Sequence, residues 1–250
     1  ADTSEINVVG SDANDALTID ATAISGLSIT FAGGMGTDTL LGPAGNTTWD
    51  ITGDGAGHVG AVAFSGVENL TGAADNEDTF VFEATGSLSG LMNGGAGGFD
   101  SLVLSGGTFA SEVYTATGPT SGTIVRDGSV ITYSGLEPIT DETVVADLVF
   151  TTSDFSDTVR LANVDTTHLI IQNLSFVPTF ESLTVAKPTN SLTINLGKDE
   201  DIPILSRDQL TINGIDLGVA SLIVNGEDGK DEVVIAGAVS ADNLTINAEK

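Results

Sequence analysis

A glycine-rich turn that ends in an aspartate carries the most specific chemistry in this sequence. Residues 33–41 read Gly-Gly-Met-Gly-Thr-Asp-Thr-Leu-Leu, so that Asp38 stands between the glycines and an apolar pair. Glycines let the chain turn tightly and approach other groups closely. An aspartate adds a hard anionic oxygen of the kind that calcium prefers. The pattern therefore indicates calcium binding in a turn, followed by a short strand that enters the core.

The same arrangement recurs in weaker form further along the chain. Residues 94–102 keep the glycines but place Asp100 one position later, and residues 226–233 keep a glycine, Asp231 and an apolar residue, with Asp228 beside them. Fainter echoes occupy residues 10–17, 72–80, 154–159 and 197–202. Turns of glycine and acidic residues that precede a strand are thus a repeated feature.

With these turns the chain resembles the RTX-like and haemagglutinin-like repeat regions of giant secreted bacterial surface adhesins. In that family the nonapeptide Gly-Gly-x-Gly-x-Asp-x-hydrophobic-x binds calcium in a β-roll. The resemblance implies calcium as a cofactor, an extracellular location at the bacterial cell surface and a role in adhesion. It assigns the metal ligands to Gly33, Met35, Asp38, Asp100, Asp228 and Asp231.

The repeats depart from the family because only residues 33–41 match the full motif and the copies do not follow one another directly. A second interpretation therefore stays open. An aspartate in a turn commonly accepts hydrogen bonds from the backbone amides of its own turn. In that case the motif is structural, and few or no calcium sites are complete.

Catalytic patterns are weak. His58 and His168 are the only histidines; we interpret His58 as a turn residue and His168 as the first residue of a strand. No cysteine is present, so disulfides and thiolate metal sites are excluded. A calcium-dependent polysaccharide lyase that uses Arg126 or Arg160 is the enzyme alternative. The sequence favours a protein that is not an enzyme.

A carbohydrate-binding module is the other alternative. Sugar sites favour exposed aromatic residues, but Trp49, Tyr114 and Tyr133 are the only Trp and Tyr residues. We interpret Trp49, which precedes an alternating strand, as part of the core. The preferred function is a rigid structural or adhesion module. Its expected partners are neighbouring domains of a larger chain and a cell-surface glycan or protein.

Alternating apolar and polar residues predict that strands build the whole chain and that helix content is very low. A unit that reads Leu-Thr-Ile-Asn after a polar residue recurs at 191–195, 209–213 and 243–247, with a variant at 221–225. A longer echo relates residues 64–71 to residues 133–140. Short repeated strands bury their faces by stacking on one another.

The predicted fold is therefore all-β, a single elongated parallel β-helix or β-solenoid over residues 1–250 with a sub-boundary near 136–141. Tandem β-sandwiches, which also need short regularly spaced strands, are the alternative fold.

The charge balance excludes several classes of partner. There are 35 acidic residues against seven basic ones, the formal net charge is -28, and no Lys or Arg precedes Arg126. Nucleic acids and anionic membranes are both bound through Lys and Arg, so neither fits this chain. No apolar run approaches the roughly 20 residues that span a bilayer. With 40% hydrophobic residues the chain has enough apolar surface to fold.

Overall fold

The computed structural model describes residues 4–20, 26–198, 207–227 and 229–247. Within these ranges all regular structure is β-structure, as the alternating pattern predicts, and no helix is long and apolar enough to cross a membrane. The strands are β1 Glu5–Val9, β2 Ala16–Thr18, β3 Ser28–Ala32, β4 Thr39–Leu41, β5 Thr48–Gly53, β6 Ala56–Val59, β7 Val62–Ser65, β8 Asn69–Thr71, β9 Thr79–Glu83, β10 Leu91–Asn93, β11 Ser101–Ser105, β12 Thr108–Gly118, β13 Ser121–Arg126, β14 Ser129–Ser134, β15 Ile139–Asp141, β16 Val144–Thr151, β17 Thr158–Asn163, β18 His168–Asn173, β19 Leu183–Ala186, β20 Ser191–Asn195, β21 Gln209–Ile212, β22 Ile215–Asp216, β23 Ser221–Asn225, β24 Glu232–Ile235, β25 Val239–Ser240 and β26 Leu244–Asn247.

The chain divides into two compact units, each built from two separate stretches of the sequence. Unit 1 combines Ala1–Gly107 with Ser129–Glu137, and unit 2 combines Thr108–Gly128 with Pro138–Lys250. In unit 1 the strand order is β1-β3-β7-β6-β5-β9-β11 in one sheet and β2-β4-β8-β10-β14 in the other. Every pair of the second sheet is parallel, whereas β6 pairs antiparallel with β5 and β7.

Unit 2 has the same mixture of parallel strands and antiparallel hairpins. One sheet has the order β15-β19-β18-β17-β21-β24 and the other β13-β12-β16-β20-β23-β26. The antiparallel pairs are β12 with β13 and β18 with both β17 and β19. The strands β16, β20, β23 and β26 pair in parallel.

The repeated sequence unit stacks in register within unit 2. Leu192 lies beside Leu222, and Leu222 lies beside Leu244, so the apolar positions of β20, β23 and β26 form one row. The asparagines that end these strands form a second row. The Asn225 side-chain amide donates to Asn195 Oδ1 and that of Asn247 donates to Asn225 Oδ1, both at 2.8 Å. The copy at Gln209–Ile212 instead joins the other sheet, between β17 and β24.

The core consists of inward rows of branched aliphatic and aromatic side chains, because alternate residues of a strand face opposite sides of its sheet. Trp49 is fully buried and stacks on Phe80 with ring centroids 5.1 Å apart, which confirms that it belongs to the core. Tyr114 and Tyr133 are also buried. None of the three is exposed as a platform for a sugar.

Candidate functional site in the glycine–aspartate turns

Each predicted glycine–aspartate turn of unit 1 connects a strand of one sheet to a strand of the other. Residues 33–38 join β3 to β4, and residues 94–100 join β10 to β11. In both turns the aspartate folds back over the first glycine. A Cβ atom at Gly33 would lie 2.5 Å from Asp38 Oδ2, and one at Gly94 would lie 2.8 Å from Asp100 Oδ2. The turn therefore requires glycine because the carboxylate occupies the space of a side chain.

The carboxylates of these turns accept hydrogen bonds from the backbone of an adjacent turn. Asp38 Oδ1 accepts the N–H of Asp15, and Asp100 Oδ1 accepts the N–H of Asp78, both at 2.7 Å. Asp78 Oδ1 in turn accepts the N–H of Thr47 at 2.8 Å. The aspartates thus connect successive turns of the chain.

Capping within the same turn also occurs, as the second sequence interpretation predicts. Asp15 Oδ2 accepts the N–H of Ser11 at 2.5 Å, and Asp157 Oδ2 accepts the N–H of Ser153 at 3.1 Å. Both patterns satisfy backbone amides that would otherwise lack a partner at a bend of the chain. In both patterns the carboxylates act as hydrogen-bond acceptors for the backbone.

The two copies of the longer sequence echo contact the two glycine–aspartate turns. The carbonyl oxygen of Gly66 lies directly against Gly33, and that of Gly135 lies against Gly94. Glu68 Oε2 accepts the N–H of Asp38 at 2.6 Å, and the N–H of Glu137 donates to the carbonyl oxygen of Asp100 at 2.5 Å. The Ser-Gly-x-Glu segment at 65–68 and its copy at 134–137 are thus the docking partners of the glycine–aspartate turns. Sequence reasoning found both motifs but missed that they pair.

The predicted metal ligands differ in their surroundings. Gly33, Asp38 and Asp100 are buried, whereas the side chain of Met35 is 63% exposed. Asp231 is half-buried and lies over Gly226, as Asp38 lies over Gly33. Asp228 lies outside the described residues. The structure brings Asp38 next to the backbone of Asp15 and Asp100 next to the backbone of Asp78.

For calcium binding, the turn at Asp38 offers an unpartnered carboxylate oxygen but few acidic side chains as further ligands. Asp38 Oδ2 is buried and has no hydrogen-bond partner among the described residues, which suits a cation. Among all the residues that the structure describes, however, no three acidic or histidine side chains form a group that could hold a metal ion. Calcium at Asp38 would thus take most of its oxygen ligands from main-chain carbonyls and water.

Asp100 lies in surroundings that disfavour its negative charge. Burial raises the pKa of Asp100, the amide of Asp78 opposes this rise, and repulsion from Asp78, Glu137 and Glu77 adds to it. Unit 1 contains no Lys or Arg to offset these carboxylates.

The two histidines each contact carboxylates. His58 lies in β6 and not in a turn, so its predicted location was wrong; its Nε2 is 3.0 Å from Asp50 Oδ2 on the neighbouring β5. His168 opens β18, as predicted, and its Nε2 is 2.9 Å from Glu142 Oε2 while Nδ1 faces Asp165. Burial works against protonation of His168, but the hydrogen bonds to Glu142 and Asp165 outweigh it and raise the pKa.

A buried polar cluster in unit 2 has no counterpart in the sequence motifs. Glu112 and Asp141 are fully buried; Thr143 Oγ1 donates to Glu112 Oε1 at 3.3 Å, and the Tyr114 hydroxyl donates to Asp141 Oδ2 at 2.7 Å. Arg126 is also buried, and its guanidinium lies 4.9 Å from the centre of the Phe109 ring. Two carboxyl groups and one guanidinium group are thus buried in unit 2.

The proton balance of this cluster follows from its composition. Burial, followed by the hydrogen bond and the repulsion from Asp141, raises the pKa of Glu112 to about 9, although Arg126 and Thr143 act in the opposite direction. Glu112 therefore holds its proton to higher pH than an ordinary glutamate does. Burial also raises the pKa of Tyr114, which keeps its hydroxyl proton as a donor to Asp141.

The chain was compared with models of protein families, with characterised proteins and with solved structures, and no match was found. Its function must therefore be argued from the geometry of the chain itself.

Proposed function

We propose that this chain is a structural module of a large extracellular bacterial surface protein, in which the glycine–aspartate turns hold stacked β-strands in place. The observation that carries the proposal is the use of the motif carboxylates. Asp38 and Asp100 accept backbone N–H groups from adjacent turns instead of facing an open cleft. Such bonds stabilise a stack and give the module stiffness, which is what a spacer that displays other domains requires.

A parallel β-solenoid is the architecture that we propose for the stacked turns. The wholly parallel second sheet of unit 1 and the in-register rows of β20, β23 and β26 support it. The antiparallel hairpins would then be local insertions between successive turns of the solenoid. The β-sandwich alternative is less well supported, because sandwiches are built from antiparallel strands.

The structural role of the motif is tested by two substitutions at Asp100. Asp100→Ala removes the acceptor of the Asp78 N–H and leaves a buried amide without its partner, so we expect a loss of about 1–3 kcal/mol in the free energy of unfolding. Asp100→Asn keeps an oxygen acceptor and relieves the repulsion from Asp78 and Glu77, so we expect stability close to that of the wild type. Urea denaturation measures both. Two variants as stable as the wild type would contradict the structural role.

We propose further that calcium stabilises unit 1 by neutralising carboxylates that have no basic partner. A ligand that binds only the folded state adds about 2.7 kcal/mol of stability at one hundred times its Kd. We therefore expect calcium to raise the melting temperature, followed by circular dichroism, relative to a sample in excess chelator.

The variant Asp38→Asn separates calcium binding from hydrogen bonding. It keeps Oδ1 as the acceptor for the Asp15 N–H but replaces the unpartnered Oδ2 with an uncharged NH2 group, so we expect a smaller response to calcium with little change in chelator. Asp54→Asn, at an exposed position, is the control and should respond as the wild type does. If the melting curves with calcium and with chelator coincide, calcium is excluded from the proposal while the structural module remains.

A further inference from the structure

An apolar patch projects from unit 2 on the loop that follows β18. The side chain of Phe176 is completely exposed, Val177 is 67% exposed and Leu174 is 51% exposed. Phe155, from the turn before β17, is 51% exposed and lines the same cavity of about 540 Å³ as Phe176 and Val177. We call Phe155, Leu174, Phe176 and Val177 the Phe176 patch. Exposed clusters of large apolar side chains in folded proteins commonly mark interaction sites.

The loop is anchored on both sides of its exposed tip. The Asn173 side-chain amide donates to Thr179 Oγ1 at 2.8 Å and to the carbonyl oxygen of Phe180 at 3.2 Å, while Asn173 Oδ1 accepts the N–H of Ser175. Phe180 is buried and packs edge-to-face on Phe150, with ring centroids 5.2 Å apart. One phenylalanine of this loop thus fixes it to the core while the other is held outward.

The cavity beside the patch is suited to an apolar group. Pro119 and Pro178 complete its apolar walls. Two of the hydroxyls that line it take part in internal hydrogen bonds: Ser175 Oγ accepts the N–H of Thr158, and the Thr179 hydroxyl donates to Asp157. A sugar needs several polar groups directed at it, whereas an apolar side chain of a protein needs only such walls.

The charges around the cavity favour a basic partner. The segments that line it, residues 118–121, 153–158 and 174–181, contain no Lys or Arg. Their acidic residues are Asp154, which is exposed, Glu181, which is half-buried, and Asp157, which is buried. Arg207, whose N–H donates to Ser156 at the cavity, forms an ion pair with Glu232. With a net charge of -28 the chain repels a second copy of itself and anionic lipid surfaces.

We infer that the Phe176 patch docks a protein segment in which an apolar side chain is flanked by lysine or arginine. The apolar side chain would enter the cavity beside Phe155 and Phe176, and the basic residues would lie near Asp154 and Glu181. This inference goes beyond the structural role, since a module that lacks the patch would still stack and act as a spacer.

Two model peptides test the docking site. One alternates Leu and Phe with Lys over seven residues, and the other has Glu in place of each Lys. We expect the Lys peptide to bind the intact chain in isothermal titration calorimetry and in NMR titration, with shifts at the Phe176 patch, and to weaken as salt is added. The Glu peptide should not bind.

The variant Phe176→Ala should weaken binding of the Lys peptide by about tenfold or more, as expected for an aromatic anchor. Its melting curve should match the wild type, because the Phe176 side chain makes no buried contact. Val219→Ala removes another exposed apolar side chain of unit 2, 82% exposed, and should leave binding unchanged. Equal binding of the two peptides, no binding at millimolar concentration, or unchanged binding by Phe176→Ala would overturn the inference. So would dimerisation that Phe176→Ala abolishes, which would make a second copy the occupant.

Discussion

Replacing Gly33 with alanine is expected to lower the free energy of unfolding by roughly 2–4 kcal/mol, the range of severe overpacking. The added Cβ would fall on the carbonyl oxygen of Gly66 and lie 2.5 Å from Asp38 Oδ2. Neither atom can retreat easily, because Gly66 belongs to the docking segment and Asp38 Oδ1 is fixed by the N–H of Asp15. Fluorescence of Trp49 during urea denaturation measures the effect, since Trp49 is the single tryptophan and is buried in unit 1.

Gly45→Ala is the matched control for this substitution. A Cβ atom at Gly45 would meet no atom within 4 Å. Alanine also restricts the unfolded chain, so we expect stability equal to the wild type or slightly higher. A similar loss in both variants would mean that the close approach of Gly33 to Gly66 is not what the fold requires.

Replacing Glu112 with glutamine is expected to reduce the fall in the free energy of unfolding between about pH 4.5 and pH 9. The pKa of Glu112 rises from an ordinary value of 4.5 to about 9 in the folded chain. Between these values the folded state retains a proton that the unfolded chain releases, so the free energy of unfolding falls as pH rises, by up to about 1.4 kcal/mol per pH unit. Above about pH 9 both states are ionised and this contribution stops changing.

Glutamine is a neutral side chain of nearly the same shape, so it keeps polar contacts with Asp141 and Thr143 without an ionisable proton. The difference in stability between Glu112→Gln and the wild type should therefore grow in favour of the variant from mildly acidic to mildly alkaline pH. Urea denaturation at a series of pH values measures it. Glu5→Gln removes an exposed carboxyl and should run parallel to the wild type. A constant offset between Glu112→Gln and the wild type would show that Glu112 is already ionised in the folded state.

The all-β class and the position of several strands could be predicted from the sequence. Alternation of apolar and polar residues is a local signal, because successive side chains of a strand face opposite sides. The Leu-Thr-Ile-Asn units at 191–195, 209–213 and 243–247 each contain a strand, as does the variant at 221–225. The need for glycine and aspartate in the turns was likewise visible, although the partner of the aspartate was not.

The structure alone decides which sheet each repeat joins. The units at 191–195 and 209–213 look equivalent in sequence, yet β20 and β21 belong to different sheets. The two copies of the longer echo also differ in the order of their sheets. The first copy runs from β7 in one sheet to β8 in the other, whereas the second runs from β14, in the sheet of β8, to β15, in the sheet of β7. No single segment encodes this placement, because a strand joins a sheet through partners that are distant in the sequence.

What the sequence by itself determined is therefore the all-β class, the strands and the chemical type of the turns, because these depend on residues within a few positions of one another. Only the tertiary structure decided that Gly33 and Asp38 meet Gly66 and Glu68, and that Glu112, Arg126 and Asp141 are all buried. Hydrogen bonding and desolvation depend on neighbours in space. In this chain those neighbours come from turns that lie tens of residues apart, so the sequence pattern carries no signal of them.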